Sequence, residues 1–370
     1  MKKVGILNFQ YSNRNYGAVL QAAALEHILR QLGHDSRHID FMTHPKISVK
    51  GRVGQLLRIL GLRKIGQLLR ILGLRKKNRT QQIGNEEAFE RFRCHFLNRT
   101  KRIVSAKGFA DIAKEFDVVV VGSDQVWRPA FAKDPIAFFL GYVPNGTARV
   151  AYAASFGTSI WEQSGDIALT AKVKEELSKF KAISCREESG VDICRNVFDV
   201  EATHVLDPLL LVDDSFFEQI ISKSSVKSRS KLVYYKLDFN QDFHDDLKKI
   251  GDTLGSDAVN IYLKNSHTRG YQDVPDWLSL IRNSEVVITD SFHCICLALR
   301  FGKEVLFCQN EKRGQTRLDS LFKKLLVNVT PLDLELKTPI FSLSNRSDVG
   351  AILEVERTNS LKFISDALDG

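Results

Sequence analysis

Two hydrophobic periods alternate along the chain. "KKVGILNF" (2–9) carries apolar residues at strand spacing, and "YGAVLQAAALEHILRQLGH" (16–34) follows at helical spacing, ended by Gly33. "DSRHIDF" (35–41) then predicts a second strand. A strand–helix–strand opening predicts a parallel sheet covered by helices on both faces. The pattern recurs: "FDVVVVGSDQVW" (116–127) is an apolar strand entering a Gly-Ser-Asp turn, and "ARVAYAASFG" (148–157) is a strand ending in small residues. "FKAISCREESG" (180–190) and "ATHVLDPLLLV" (202–212) add two more strand ends. After the polar stretch "SKSSVKSRSK" (222–231), "LVYYKLD" restarts the alternation, which runs on through "SEVVITDSFHCICLALRFGKEVLF" (284–307) to about Val329.

The economical reading is an α/β chain of two doubly wound halves, 1–212 and 213–340. The tail, 341–370, is a helical pattern expected to pack back on the first half. A length of 370 residues fits two cores better than one. At 44% hydrophobic and 26% charged, the composition is that of an ordered globular protein. No apolar run approaches the roughly 20 residues of a membrane span. The opening "MKKVGILNFQYSNRNYG" turns polar too early for a signal peptide, so a cytoplasmic location is expected. Six cysteines without a C-x-x-C predict buried thiols, not a disulfide framework or zinc site.

Charge changes the picture in one place. Residues 44–107 hold 17 Lys and Arg against three Glu, which exceeds the whole chain's net +9 and leaves the remainder acidic. Inside this insertion "VGQLLRILGLRK" (53–64) recurs as "IGQLLRILGLRK" (65–76). A 12-residue period turns the second apolar stripe by roughly 120° on a continuous helix, so the copies read as two short helices or a loosely structured insertion. Two readings stay open: a basic amphipathic surface touching anionic lipid at the inner membrane face, or a tandem duplication whose leucines pack on the lobe. Leucine, not aromatic residues, interleaves the basic positions, so nucleic acid is not an expected partner.

In open parallel sheets ligands bind at the carboxyl ends of strands, where helix N-termini present free N–H groups. The polar residues predicted there are Ser12, Asn13, Asn15, Tyr16 and Gly17; then Ser123, Asp124 and Gln125; then Arg186; then Asp207; and finally Asp290, Ser291 and His293. Asn15 can be a helix cap only, and Asp207 before Pro208 reads first as structural. Arg186 at a strand end requires a carboxylate or phosphate partner, with Glu187 or Glu188 the nearest in sequence. Asp290 or Ser291 can cap the helix "CICLALRF", which puts His293 in its positive first turn. G-x-G-x-x-G, Walker, G-x-S-x-G, H-E-x-x-H and D-x-D patterns are absent, so dinucleotide, ATP, triad and divalent-metal readings lose ground.

Taken in order, "VGILNFQYSNRNYGAVLQAAAL", "VVVVGSDQVWRP", "VAYAASFGTS", "AISCREESG", "HVLDPLLL" and "VVITDSFHCICLALRFGKEVLF" resemble the polysaccharide pyruvyl transferase family over residues 4–330. The resemblance implies a GT-B-like fold with the active site between two Rossmann-like domains. It also implies transfer of the pyruvyl unit of phosphoenolpyruvate to two hydroxyls of a sugar, giving a cyclic ketal and phosphate. The sugar would belong to a bacterial surface polysaccharide or its lipid-linked precursor. No cofactor or metal is needed. By position, the family's polar turn falls on Asn13, Asn15 and Gly17, its arginine on Arg186 and its histidine on His293. A later basic residue falls on Arg317 or Arg313. The family's Arg-Leu-His is here Ser291-Phe292-His293.

The reaction's demands match these residue types. Arg186, Arg317, Arg313, His293 and the helix start at Ser291 would hold the donor anion, and His293 would also supply the proton. Asn13, Asn15, Tyr16, Gly17, Ser123 and Gln125 would face the acceptor, with Asp124 as candidate base. His293→Ala is expected to abolish turnover with stability nearly unchanged. The alternatives are a GT-B glycosyltransferase using a nucleotide sugar, and a non-catalytic sugar-binding protein.

Overall fold

The computed structural model describes residues 1–42, 86–262, 271–310, 315–344 and 346–369. In the first half β1 (Lys3–Leu7), β2 (Asp35–His38), β3 (Val118–Val121), β4 (Ala148–Ala154), β5 (Ala182–Cys185) and β6 (Thr203–His204) form one sheet, in the order β2-β1-β3-β4-β5-β6. All of its pairings are parallel. Val118 to Val121 are buried, as a strand covered by helices on both faces requires.

The second sheet takes β7 (Ser230–Tyr235), β8 (Ala258–Asn260), β9 (Ser284–Thr289), β10 (Glu304–Cys308), β11 (Asn328–Pro331) and β12 (Ile340–Ser344), in the order β11-β12-β10-β9-β7-β8. Four strands are parallel, but β12 runs antiparallel to both β10 and β11. The alternation in the sequence does not predict this edge. The connection from β11 to β12 contains no helix, and such a connection joins antiparallel strands.

Twelve α-helices connect these strands among the described residues. They are α1 (Tyr16–Gln31), α2 (Glu86–Phe96), α3 (Ala106–Ala113), α4 (Pro135–Phe138), α5 (Ile167–Leu177), α6 (Glu188–Phe198), α7 (Asp214–Ile221), α8 (Gln241–Leu254), α9 (Val274–Arg282), α10 (Phe292–Arg300), α11 (Gln315–Lys324) and α12 (Arg346–Asp369). Asn15 caps α1 by accepting from the Ala18 N–H at 3.2 Å. Nearly every residue of α1 from Tyr16 to Leu29 is buried, so it is a central helix without a solvent face. It joins the two sheets: Tyr16 stacks on Trp277 of α9 at 4.7 Å, and its hydroxyl donates to the Gln272 carbonyl at 2.8 Å.

Helix α12 bonds to the first half. Ser360 Oγ accepts from the Leu206 N–H at 3.0 Å, Arg357 Nε donates to the Leu211 carbonyl at 2.6 Å, and Lys2 Nζ meets the Leu368 carbonyl. It also touches the second half through the Lys324–Glu356 pair at 2.6 Å. The duplicated segment Val53–Lys76 lies outside the described residues. From residue 86 on the basic insertion is integrated: Arg91, Arg93, Arg99 and Arg102 pair with Asp273, Glu90, Glu90 and Asp40. Five cysteines are buried as predicted, but Cys94 is exposed. Among the described residues no helix is long and apolar enough to cross a membrane.

Candidate active site

The carboxyl ends of both sheets open on one cleft of about 560 Å³, the volume of a small-ligand site. The first sheet's loops contribute Tyr11, Ser12, Asn15, Asp124, Gln125 and Arg128; the second's contribute Asp238, Asp290, Ser291, Phe292, His293 and Arg317.

Arg186 is the hub behind the cleft floor. It follows β5 and is 2% exposed, so its charge needs partners. Nη1 donates to Asp207 Oδ2 at 2.9 Å and Nη2 to Asp124 Oδ1 at 3.1 Å. The partners are therefore carboxylates from β3 and β6 loops, not the adjacent Glu187 or Glu188. Burial opposes its charge, but Asp124, Asp207 and Glu187 outweigh this and raise its pKa. Asp207, 1% exposed, is held in turn by the Ser123 hydroxyl at 3.0 Å and the Leu209 N–H at 3.1 Å. Burial would lift its carboxyl, yet His293 and Arg186 hold it well below the usual range. Asp124 sits in the left-handed region (φ 77°), and its Oδ1 accepts from the Gln125 N–H at 2.9 Å. It too is lowered despite burial, chiefly by Arg186 and His293, and a carboxylate held this way is a weak base.

His293 reaches this hub from the other half. Its Nε2 lies 3.0 Å from Arg186 Nη1 and 3.5 Å from Asp207 Oδ2. A guanidinium only donates, so a neutral ring accepts from Arg186 at Nε2, whereas an imidazolium turns the same nitrogen's proton toward Asp207. On its other side the ring rests on α1: a Cβ at Gly17 would stand 2.1 Å from His293 Nδ1. Only glycine permits this approach. Neither predicted cap is used. Asp290 bonds Lys236 Nζ at 3.2 Å and the Leu237 N–H at 2.8 Å, while Ser291 occupies the N-cap position without a side-chain bond. The first-turn N–H groups of α10 therefore have no side-chain cap where the helix meets the cleft.

Phe292, which stands where the family has leucine, is 5% exposed and lies under two cations. The guanidinium carbon of Arg186 is 4.4 Å, and that of Arg317 5.5 Å, from its ring centre. Arg317 is carried by α11, which bonds to α6 through Ser320 Oγ and the Glu188 N–H at 3.1 Å. Burial and the like charge of Arg186 push the Arg317 pKa down to about 10. Two neighbouring buried arginines and an uncapped helix start form a setting that an anion would stabilise.

Of the predicted site residues, Asn15, Asp124, Gln125, Ser291, His293 and Arg317 line the cleft, and Arg186 stands behind it. Four others do not line it. Tyr16 is buried between the halves, Gly17 is packed under His293, Ser123 braces Asp207, and Asn13 accepts from Arg93 Nη2 at 2.7 Å. The acceptor-facing expectation does not fit their placement: Tyr16 and Gly17 open α1 and Ser123 follows β3, all three packed inward, and Asn13 is held by Arg93, while Ser12 and Asn15 beside it do line the cleft. Arg313 lies outside the described residues. Sequence reasoning missed Arg128, which lines the cleft and is clamped by Glu162 at 2.7 and 3.1 Å. Extending the strand-end rule four residues past Asp124 finds it. Lys236, the first residue after β7, was also missed; it does not line the cleft but holds Asp290, which does.

The family model described as "Polysaccharide pyruvyl transferase" matches residues 15–312. A comparison with curated proteins gives no match. Among solved structures the chain is similar to a protein assigned as UDP-N-acetylglucosamine 2-epimerase from Listeria monocytogenes, at 11% identity and TM-score 0.50, covering 98% of this chain and 90% of that one. It is also similar to UDP-GlcNAc 2-epimerase from Neisseria meningitidis bound to UDP-GlcNAc, at 11% identity and TM-score 0.46, covering 99% and 94%. A third is ADP-heptose lps heptosyltransferase II of E. coli, at 11% identity and TM-score 0.34, covering 82% and 83%. The Listeria monocytogenes likeness concerns the fold alone, which with the two mostly parallel sheets facing one cleft is GT-B.

Proposed function

The chain belongs to the polysaccharide pyruvyl transferase family and is a transferase; from that premise we propose that it moves the enolpyruvyl unit of phosphoenolpyruvate onto two hydroxyls of one sugar. The observation that carries this reading is the contact of His293 with Arg186, with Arg317 over the neighbouring Phe292 ring, beside the uncapped start of α10. Phosphoenolpyruvate bears a phosphate and a carboxylate, and this part of the cleft offers the Arg317 guanidinium and the uncapped helix start to match them, with the charge of Arg186 behind the floor.

In the reaction the two sugar oxygens bond to carbon 2 of the donor and the bond from carbon 2 to the phosphate oxygen breaks. Of the two hydroxyl protons displaced, one is balanced by the proton that makes carbon 3 a methyl group, and the other leaves with phosphate. As the imidazolium, His293 delivers its proton to carbon 3, is left neutral, and regains a proton from one of the two sugar hydroxyls. Arg186 and Arg317 neutralise the leaving phosphate as its charge grows. Asp207 acts through His293 and Arg186 by fixing both from behind. Asp124, ion-paired and low in basicity, serves as an electrostatic partner of Arg186 in this scheme, and the phosphate itself accepts the second proton.

The acceptor is a sugar of a bacterial surface polysaccharide or its lipid-linked precursor. The test is incubation of the full chain with phosphoenolpyruvate and a set of methyl glycosides. Phosphate release coupled to a mass gain of one pyruvyl ketal supports the reading. Release of a nucleoside diphosphate from a sugar nucleotide, with phosphoenolpyruvate inert, replaces it with glycosyl transfer.

A further inference from the structure

We infer that Phe131 is the stacking platform of the acceptor subsite, and that it takes a neutral pyranose presenting a face of C–H groups. This rests on the proposed sugar-acceptor reading and names the sugar class.

Phe131 lines the cleft and is 52% exposed, although its loop is otherwise anchored by the buried Trp127, whose Nε1 donates to the Phe138 carbonyl at 3.0 Å. A large aromatic left open in a ligand cleft is a contact surface in waiting. The Arg128 guanidinium carbon lies 4.7 Å from the centre of the Phe131 ring. Arg128 is itself fixed: Nη2 and Nε donate to the two oxygens of Glu162 at 2.7 and 3.1 Å, and Nη1 donates to Gln125 Oε1 at 3.3 Å. The ring is thus held on one side by a clamped guanidinium and stays half exposed to the cleft. Because Glu162 already answers the Arg128 charge, the platform is close to neutral, which favours an uncharged sugar over a uronate or a sugar phosphate. Tyr11 and Phe9, packed edge to face at 5.9 Å, line the same first-half wall and extend its aromatic character. Phe131 comes from the first half, and His293, Arg317 and the start of α10 from the second, the arrangement needed to bring sugar hydroxyls to an anion held by the second half.

Saturation-transfer NMR on the full chain tests this with methyl β-galactopyranoside, whose axial oxygen on carbon 4 leaves the protons of carbons 3, 4 and 5 on one face. The expected result is transfer concentrated on those protons, weakened about tenfold in affinity by Phe131→Ala and restored by Phe131→Trp. No transfer in the wild type, an unchanged pattern in Phe131→Ala, or tighter binding of methyl β-galacturonoside would each overturn the proposal. The thermal shift given by phosphoenolpyruvate is read in the same samples. A galactoside signal without that shift leaves the platform standing and removes the donor reading; the shift without the signal does the reverse.

Discussion

On the first-half wall of the cleft, Arg186 meets Asp207 at 2.9 Å and Asp124 at 3.1 Å, and its pKa is raised. On the second-half wall, Arg317 is equally buried but its pKa is lowered to about 10, and the helix beside it starts without a side-chain cap. The same residue type in the same degree of burial is stabilised in one place and destabilised in the other. Carboxylates outweigh burial at Arg186; at Arg317, Asp124 and Glu187 act in the same sense but do not outweigh burial and the like charge of Arg186, a balance that an incoming anion would shift. His293 stands at the seam, its Nε2 on Arg186 and its ring on Gly17.

Arg186→Ala should produce the largest effect. It strands two buried carboxylates, so a stability loss of about 3–5 kcal/mol is expected in urea unfolding, together with loss of turnover. Arg317→Ala should cost less stability than Arg186→Ala, because removing it also relieves the like charge beside Arg186, while phosphoenolpyruvate affinity falls by the about 1.5–3 kcal/mol of a charged hydrogen bond, read by calorimetry. Equal stability losses in the two variants would erase the contrast between the walls.

Gly17→Ala places a methyl group against His293 and should lower kcat by about tenfold or more through a misplaced ring. Donor affinity in this variant should fall much less than kcat; a pure affinity loss would mean that Gly17 shapes the donor pocket instead.

The smallest effect concerns pH. His204 lies on the edge strand β6 with its pKa lowered from 6.5 to about 4, first by burial and then by Lys324. The unfolded chain binds this proton more readily, so stability is full above pH 6.5 and declines as pH falls toward about 4. His204→Gln should flatten that part of the stability–pH curve. Asp207, lowered well below its usual range, instead holds its contribution until much stronger acid.

The two parallel sheets and the central helix were legible because apolar runs and strand-end turns are local signals. The β11–β12 edge was not, since its residues are largely exposed or intermediate and lack a clear period. At the site, residue type located Arg186, His293 and Arg317, but not their partners. That Arg186 pairs with Asp124 and Asp207, 62 and 21 residues away, depends on strand order, which periodicity does not encode. Tyr16, Gly17 and Ser123 were read as ligand-facing because a polar turn looks alike whether it aims into a cleft or into a neighbouring lobe. Burial also revises the expectation for His293→Ala. At 5% exposure among Arg186, Asp207 and Gly17, truncation should cost measurable stability, so glutamine, which keeps polar atoms in the gap, is the cleaner replacement.

The most direct test is therefore phosphate release from phosphoenolpyruvate by the wild type and by His293→Gln, with donor binding measured by calorimetry on both. The account predicts that both proteins bind the donor with comparable Kd and that only the wild type turns it over in the presence of an acceptor sugar. Turnover by His293→Gln at the wild-type rate, or a wild type that binds no phosphoenolpyruvate, would contradict it.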